Sequence, residues 1–176
     1  MSNMKIVKVG IIGAGQMGCG IAQVCAAAGY HVGIYDSSVE RITAGIAGID
    51  AGLTRRVKSG KTTEEAKTAL LAHIKPVNGF EGFADYDLVI ESATENEAVK
   101  RQIFEAVTPH LKADCIIASN TSSISITRLA ATTGRPEKFM GIHFMNPVPV
   151  MELVELIRGI ATDETVFKTE IGRAHV

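Results

Sequence analysis

A glycine-rich turn, "GAGQMG" from Gly13 to Gly18, follows the apolar run "KIVKVGII" and precedes a small-residue, apolar segment reaching Ala28. β-Branched residues throughout the run, Lys5 to Ile12, suit a strand buried on both faces, and the helical spacing from Met17 to Ala28 suits a helix packed against it. Gly29 stops that helix, and "HVGIYD" reads as a second strand ending in Asp36. Strand, helix and strand within about thirty residues make a βαβ unit of a parallel sheet.

Each glycine has a physical task. Gly13 permits the tight turn, Gly15 lets a pyrophosphate approach the backbone, and Gly18 allows close helix-to-strand packing. Gln16 and Met17 complete the loop, whose free amides and positive helix end favour phosphate. Asp36 lies eighteen residues after Gly18, at a strand end where a carboxylate accepts hydrogen bonds from the adenosine ribose hydroxyls. NAD is therefore the expected cofactor, because a 2′-phosphate would meet like charge, and the nearest arginine, Arg41, lies a turn into the next helix.

The alternation continues. Ser38 is expected to cap a helix from Val39 through "RRVKSG", and Thr62 with Glu65 to form a capping box for a helix reaching His73. "DYDLVIESA" is a strand, Glu97 to Leu111 a helix, and "DCIIASN" a strand. Ser123 is expected to cap the short helix "ISITRLAA", and "KFMGIHF" and "MELVELIRG" are two further strands. The fold class is α/β: a Rossmann-type, doubly wound, mostly parallel sheet with a helical insertion after the second strand, in one domain over residues 1–170.

Composition narrows the partner. Eighteen basic against nineteen acidic residues leave a net charge of −1, which offers no footprint for nucleic acid or an anionic membrane, so a small molecule is expected. Cys19, Cys25 and Cys115 lack metal-ligand or disulfide spacing and read as free thiols. With no signal-peptide pattern and no run of transmembrane length, a cytoplasmic protein is expected.

The stretch "IHFMNPVPVMELVEL" carries the chemistry. His143 ends an apolar strand at the edge where an open parallel sheet binds ligands. The cluster Ser119 to Ser123 ends a neighbouring strand, Asn146 follows His143 by three, and Pro147 and Pro149 stiffen the bend. Glu152 and Glu155 are three apart and would point to opposite faces of a strand, so that one of them meets the imidazole as a buried carboxylate and raises its basicity.

"GAGQMG", "ASNTSSISIT" and "GIHFMNPVPVMELVEL" closely resemble the 3-hydroxyacyl-CoA dehydrogenase family, including its 3-hydroxybutyryl-CoA dehydrogenases, from about Val7 to Phe167. The resemblance implies NAD-dependent oxidation of (S)-3-hydroxyacyl-CoA to 3-oxoacyl-CoA, or the reverse. It implies His143 as general base, Glu155 as its partner, Ser122 on the substrate oxygen and Asn146 in the same polar network. It places Glu95, Lys100 and Asn120 around the nicotinamide-proximal ribose, and Lys58 or Lys61 near a coenzyme A phosphate.

The chain also departs from that family. Its members continue into an all-helical domain that supplies a homodimer interface, and the sequence ends without one. The closing "IGRAHV", Ile171 to Val176, matches one reading frame of a common sequencing adapter, so residues 171–176 are expected to be read-through on a truncated gene. Two alternatives stand beside the enzyme: a non-catalytic nucleotide-binding module or crystallin-like relative, and a β-hydroxyacid or polyol dehydrogenase, whose lysine-centred motif this sequence lacks.

Overall fold

The computed structural model describes residues 5–171. The glycine-rich turn joins β1 (Lys8–Ile12) to α1 (Gln16–Ala27), which leads back to β2 (His31–Tyr35). The helical insertion is α2 (Val39–Lys58) and α3 (Glu64–Ala72), followed by β3 (Ile74–Pro76) and β4 (Leu88–Glu91). Then come α4 (Glu97–Val107), β5 (Ile116–Ser119), α5 (Ile126–Ala130), β6 (Phe139–Phe144), β7 (Val154–Arg158) and α6 (Glu164–Ile171).

One sheet holds all seven strands in the order β3-β2-β1-β4-β5-β6-β7, parallel except where β7 runs antiparallel to β6. Strand periodicity explains the two-sided core. Val9, Ile11, Leu88, Ile90, Ile116 and Ala118 face the layer of α1 and α2, meeting Ile21, Ile42 and Leu53. Their alternates Ile12, Val89 and Ile117 face Phe104 of α4 and Leu129 of α5.

Several local expectations need correction. β3 was not expected: three residues ending in a proline give no strand signal, and the proline is tolerated because β3 is an edge strand. Thr63, not Thr62, caps α3 by accepting from the Ala66 amide at 3.2 Å, which brings Glu64 as well as Glu65 into the first turn. Ser125, not Ser123, caps α5 through the Arg128 amide at 3.3 Å. α4 stops at Val107, and Pro109 lies in the 3₁₀ turn Thr108–His110 that replaces its expected end, since proline has no amide to continue the ladder. The helix expected near Thr162 begins at Glu164 and includes Ile171, while residues 172–176 of the expected read-through tail lie outside the described residues.

At the edge of the sheet opposite the strand ends that carry ligands, Asp87 ties three segments together. Its carboxylate accepts from the Val7 and Lys8 amides at 2.7 and 2.8 Å and pairs with Lys112. Burial alone would raise its pKa, but the bonds from Lys112 and the two amides outweigh burial and lower it. A lowered folded-state value means a stabilisation that is present above the ordinary aspartate pKa and lost as pH falls through the folded one. Asp87→Asn is therefore expected to cost about 1–3 kcal/mol at neutral pH, with the gap to wild type closing below about pH 4, in urea melts across pH.

Candidate functional site

Strand order reverses between β1 and β4, and at the carboxyl ends of such strands the chain leaves a crevice. A cleft of about 850 Å³ occupies it, bounded by Tyr35 and Asp36 at one end and by Ser122, His143 and Asn146 at the other. Gly13, Gly15, Gln16 and Met17 also line it, on the loop that Asp36 holds through the Ala14 amide.

Each glycine of the loop sits in a different steric setting. Gly13 has φ +113°, and a Cβ there would lie 2.4 Å from the Ser92 carbonyl oxygen. A Cβ on Gly18 would fall 1.8 Å from the Gly13 carbonyl oxygen, so this glycine lets α1 begin against its own loop. A Cβ on Gly15 would meet nothing within 4 Å, although the residue lines the cleft. The Gly15 backbone is therefore bare toward open space at a helix N-terminus, as a bound pyrophosphate requires. Asp36 braces this loop by accepting from the Ala14 amide at 3.0 Å and the Ser38 amide at 3.1 Å. A carboxylate has about four acceptor positions, so capacity is left for ribose hydroxyls. Arg41 approaches Asp36 at 3.9 Å.

At the other end, the antiparallel register sets His143 directly opposite Glu155. His143 Nδ1 lies 2.8 Å from Glu155 Oε2. An ionised carboxylate can only accept, which places the proton on Nδ1 and leaves the Nε2 lone pair free. Sequence had suggested a buried carboxylate. Instead the Glu155 side chain is 51% exposed and His143 19%, because β7 is the outermost strand. Glu152 precedes β7, so the expected alternation of Glu152 and Glu155 on one strand does not occur.

Between the ends, Glu95 gathers the loop after β5. Its Oε1 accepts from the Thr121 hydroxyl, from the Ser122 amide at 3.0 Å and hydroxyl at 3.3 Å, and from the Ser123 amide at 3.3 Å and hydroxyl at 3.2 Å. Ser123 is thereby diverted from capping. Burial pushes the Glu95 pKa up, but the Thr121 hydroxyl, the Lys100 charge and the serine donors bring it below the usual glutamate value. Asn120 accepts from the Phe144 amide at 2.8 Å and donates to Ser92 Oγ at 3.3 Å, joining β4, β5 and β6 next to His143. Gln16 donates to Asn146 Oδ1 at 3.2 Å, linking the glycine loop to the histidine loop.

Lys100 departs from its expected place. Its side chain is 1% exposed and does not line the cleft. Nζ instead bonds both oxygens of Glu91, at 2.8 and 3.0 Å, and lies 3.6 Å from Glu95. Glu91, wholly buried at the end of β4, was missed by sequence reasoning. The available signal was a glutamate closing the otherwise apolar strand "LVIE". Lys58 and Lys61 are exposed, one ending α2 and the other beyond it, outside the cleft lining. Among the described residues there is no cluster that could hold a metal ion and no helix long and apolar enough to cross a membrane.

Residues 8–174 match the family model described as "3-hydroxyacyl-CoA dehydrogenase, NAD binding domain". The chain is 58% identical over 163 residues to a 3-hydroxybutyryl-CoA dehydrogenase of Bradyrhizobium diazoefficiens, covering 93% of this chain and 56% of that protein. It is 47% identical to a probable 3-hydroxybutyryl-CoA dehydrogenase of Deinococcus radiodurans, covering 90% of this chain and 57% of that one. The crystal structure of (S)-3-hydroxybutyryl-CoA dehydrogenase from Ralstonia eutropha superposes with a TM-score of 0.94 at 46% identity, over 97% of this chain and 60% of that chain. The chain thus spans somewhat more than half the length of these relatives.

Proposed function

Since this chain belongs to the 3-hydroxyacyl-CoA dehydrogenase family and carries its NAD-binding domain, we propose that it forms the cofactor-binding half of an enzyme interconverting (S)-3-hydroxyacyl-CoA and 3-oxoacyl-CoA. The observation that carries the reading is one cleft with a bare glycine loop and Asp36 at one end and the paired His143 at the other.

Gly13 and Gly15 with Gln16 and Met17 hold the pyrophosphate, Gly18 lets α1 start close against that loop, Asp36 holds the adenosine ribose, and Glu95 and Asn120 the far ribose. NAD, when bound, supplies the hydride acceptor. His143 Nε2 removes the proton of the 3-hydroxyl as the hydride departs, because oxidation of a carbinol requires both to leave one carbon–oxygen unit. Glu155 fixes the tautomer and balances the imidazolium, the Ser122 hydroxyl turns from Glu95 to donate to the substrate oxygen, and Asn146 steadies the loop. Lys58 and Lys61, both exposed, are the residues to meet a coenzyme A phosphate outside the cleft. The domain takes residues 1–170, the intact enzyme is a homodimer built through the helical domain that the family resemblance implies, and three cysteines in no disulfide fit a cytoplasmic setting.

Two measurements test this. Titrating this chain with NADH, followed by nicotinamide fluorescence, is expected to give saturable binding. The chain extended by the remainder of its gene is expected to oxidise NADH when given acetoacetyl-CoA. Binding without turnover in the extended protein would transfer the assignment to a non-catalytic nucleotide-binding module.

A further inference from the structure

Glu91 and Lys100 have no task in the chemistry above, yet they are the most deeply buried ion pair beside the cleft. The Glu91 carboxylate is fully engaged. Oε1 accepts from Lys100 Nζ and from the Ala93 amide at 2.7 Å, while Oε2 accepts from Lys100 Nζ and from the Ser119 hydroxyl at 2.7 Å. Lys100 reaches Glu95 only at the longer 3.6 Å. Glu95 lines the cleft with a side chain 42% exposed, at the end occupied by Ser122 and remote from Asp36.

We propose that Glu91 is a positioning residue that cancels most of the Lys100 charge, so that Glu95 keeps a net negative charge toward the nicotinamide end and biases the site toward oxidised over reduced cofactor. The proposal rests on the NAD reading. The two cofactor forms differ there by one charge, since the oxidised ring is cationic and the reduced ring neutral. The three side chains together carry a net charge of −1. If Glu91 were neutral, the Lys100 ammonium would turn to Glu95, its nearest remaining anion, and the net charge would vanish. Lys100 is on this account an internal counter-ion and does not touch the cofactor.

Dissociation constants for NAD⁺ and NADH, measured by calorimetry on this chain, test the idea through their ratio. Glu95→Gln keeps an oxygen for the Ser122 and Ser123 donors, removes an accessible charge and is expected to fold. It should shift preference toward NADH by about three- to thirtyfold, the Coulomb effect of one charge at roughly 8–12 Å in a screened site. Glu91→Gln should shift it in the same direction. The double variant Glu91→Gln/Lys100→Met removes both buried charges, which proteins tolerate far better than removal of one. Its net charge returns to the wild-type value, so its ratio should return as well.

A merely structural role predicts something else: lower melting temperatures and equal weakening of both cofactors, with no change of ratio. An unmoved ratio in Glu95→Gln, or a double variant that shifts as far as Glu95→Gln, overturns the proposal, even if Glu91→Gln alone proves too unstable to measure. Failure of the wild-type chain to bind either form would instead remove the cofactor reading beneath it.

Discussion

Replacing His143 with alanine in the complete enzyme is expected to lower kcat by about 10²–10⁴-fold, the usual contribution of a positioned general base, while NADH affinity is unchanged. Binding and chemistry separate because the imidazole stands at one end of the cleft and the glycine loop at the other. The same separation makes the result diagnostic. A collapsed fold would lose both properties, whereas loss of a base removes only turnover. Glu155→Gln is expected to cost less, roughly ten- to a hundredfold, since the glutamine oxygen can still accept from Nδ1 and only the charge on the forming imidazolium is lost. With Glu155 half exposed on the outermost strand, water screens part of that charge. Steady-state kinetics of NADH oxidation with acetoacetyl-CoA give both numbers. A His143→Ala enzyme that turns over at the wild-type rate would falsify the assignment of the base.

Much of this site is legible in the sequence because its signals are local. The βαβ unit is read from a strand, a glycine turn and a helix that are contiguous, and Gly13, at φ +113°, makes the tight turn expected of it. His143 and Glu155 are twelve residues apart, but a stiff proline-containing bend between two strands makes their pairing a hairpin-like event. What sequence could not supply depends on competition among distant groups. Ser123 has the composition of a helix cap, yet Glu95, twenty-eight residues earlier, claims its hydroxyl and leaves capping to Ser125. Lys100 is expected beside the nicotinamide-proximal ribose, and only the meeting of β4 with α4 reveals the buried carboxylate that holds it. β3 escapes notice for a different reason: with three residues and a terminal proline, its place is fixed by the edge of β2 and not by its own propensity.

Alanine at Gly18 and alanine at Gly15 are expected to fail in opposite ways. At Gly18 the new Cβ would lie 1.8 Å from the Gly13 carbonyl oxygen, a backbone atom that cannot rotate aside. The first turn of α1 must then separate from the loop and from the core beneath it, which should destabilise the domain by about 3–5 kcal/mol, or on the order of 10 °C in melting temperature. At Gly15 the same methyl meets nothing within 4 Å, and the backbone, at φ −78°, is one that alanine adopts freely. Stability should therefore be unchanged or rise by a few tenths of a kcal/mol, because alanine has less freedom to lose on folding. NADH affinity should nonetheless fall by roughly ten- to a hundredfold, as the methyl takes the space through which a pyrophosphate reaches the loop amides. Thermal melts and NADH titrations of the two variants separate a glycine needed by the fold from one needed by the ligand. Gly15→Ala binding NADH as tightly as wild type would mean that the phosphates lie elsewhere, because the empty space at Gly15 has no structural use of its own.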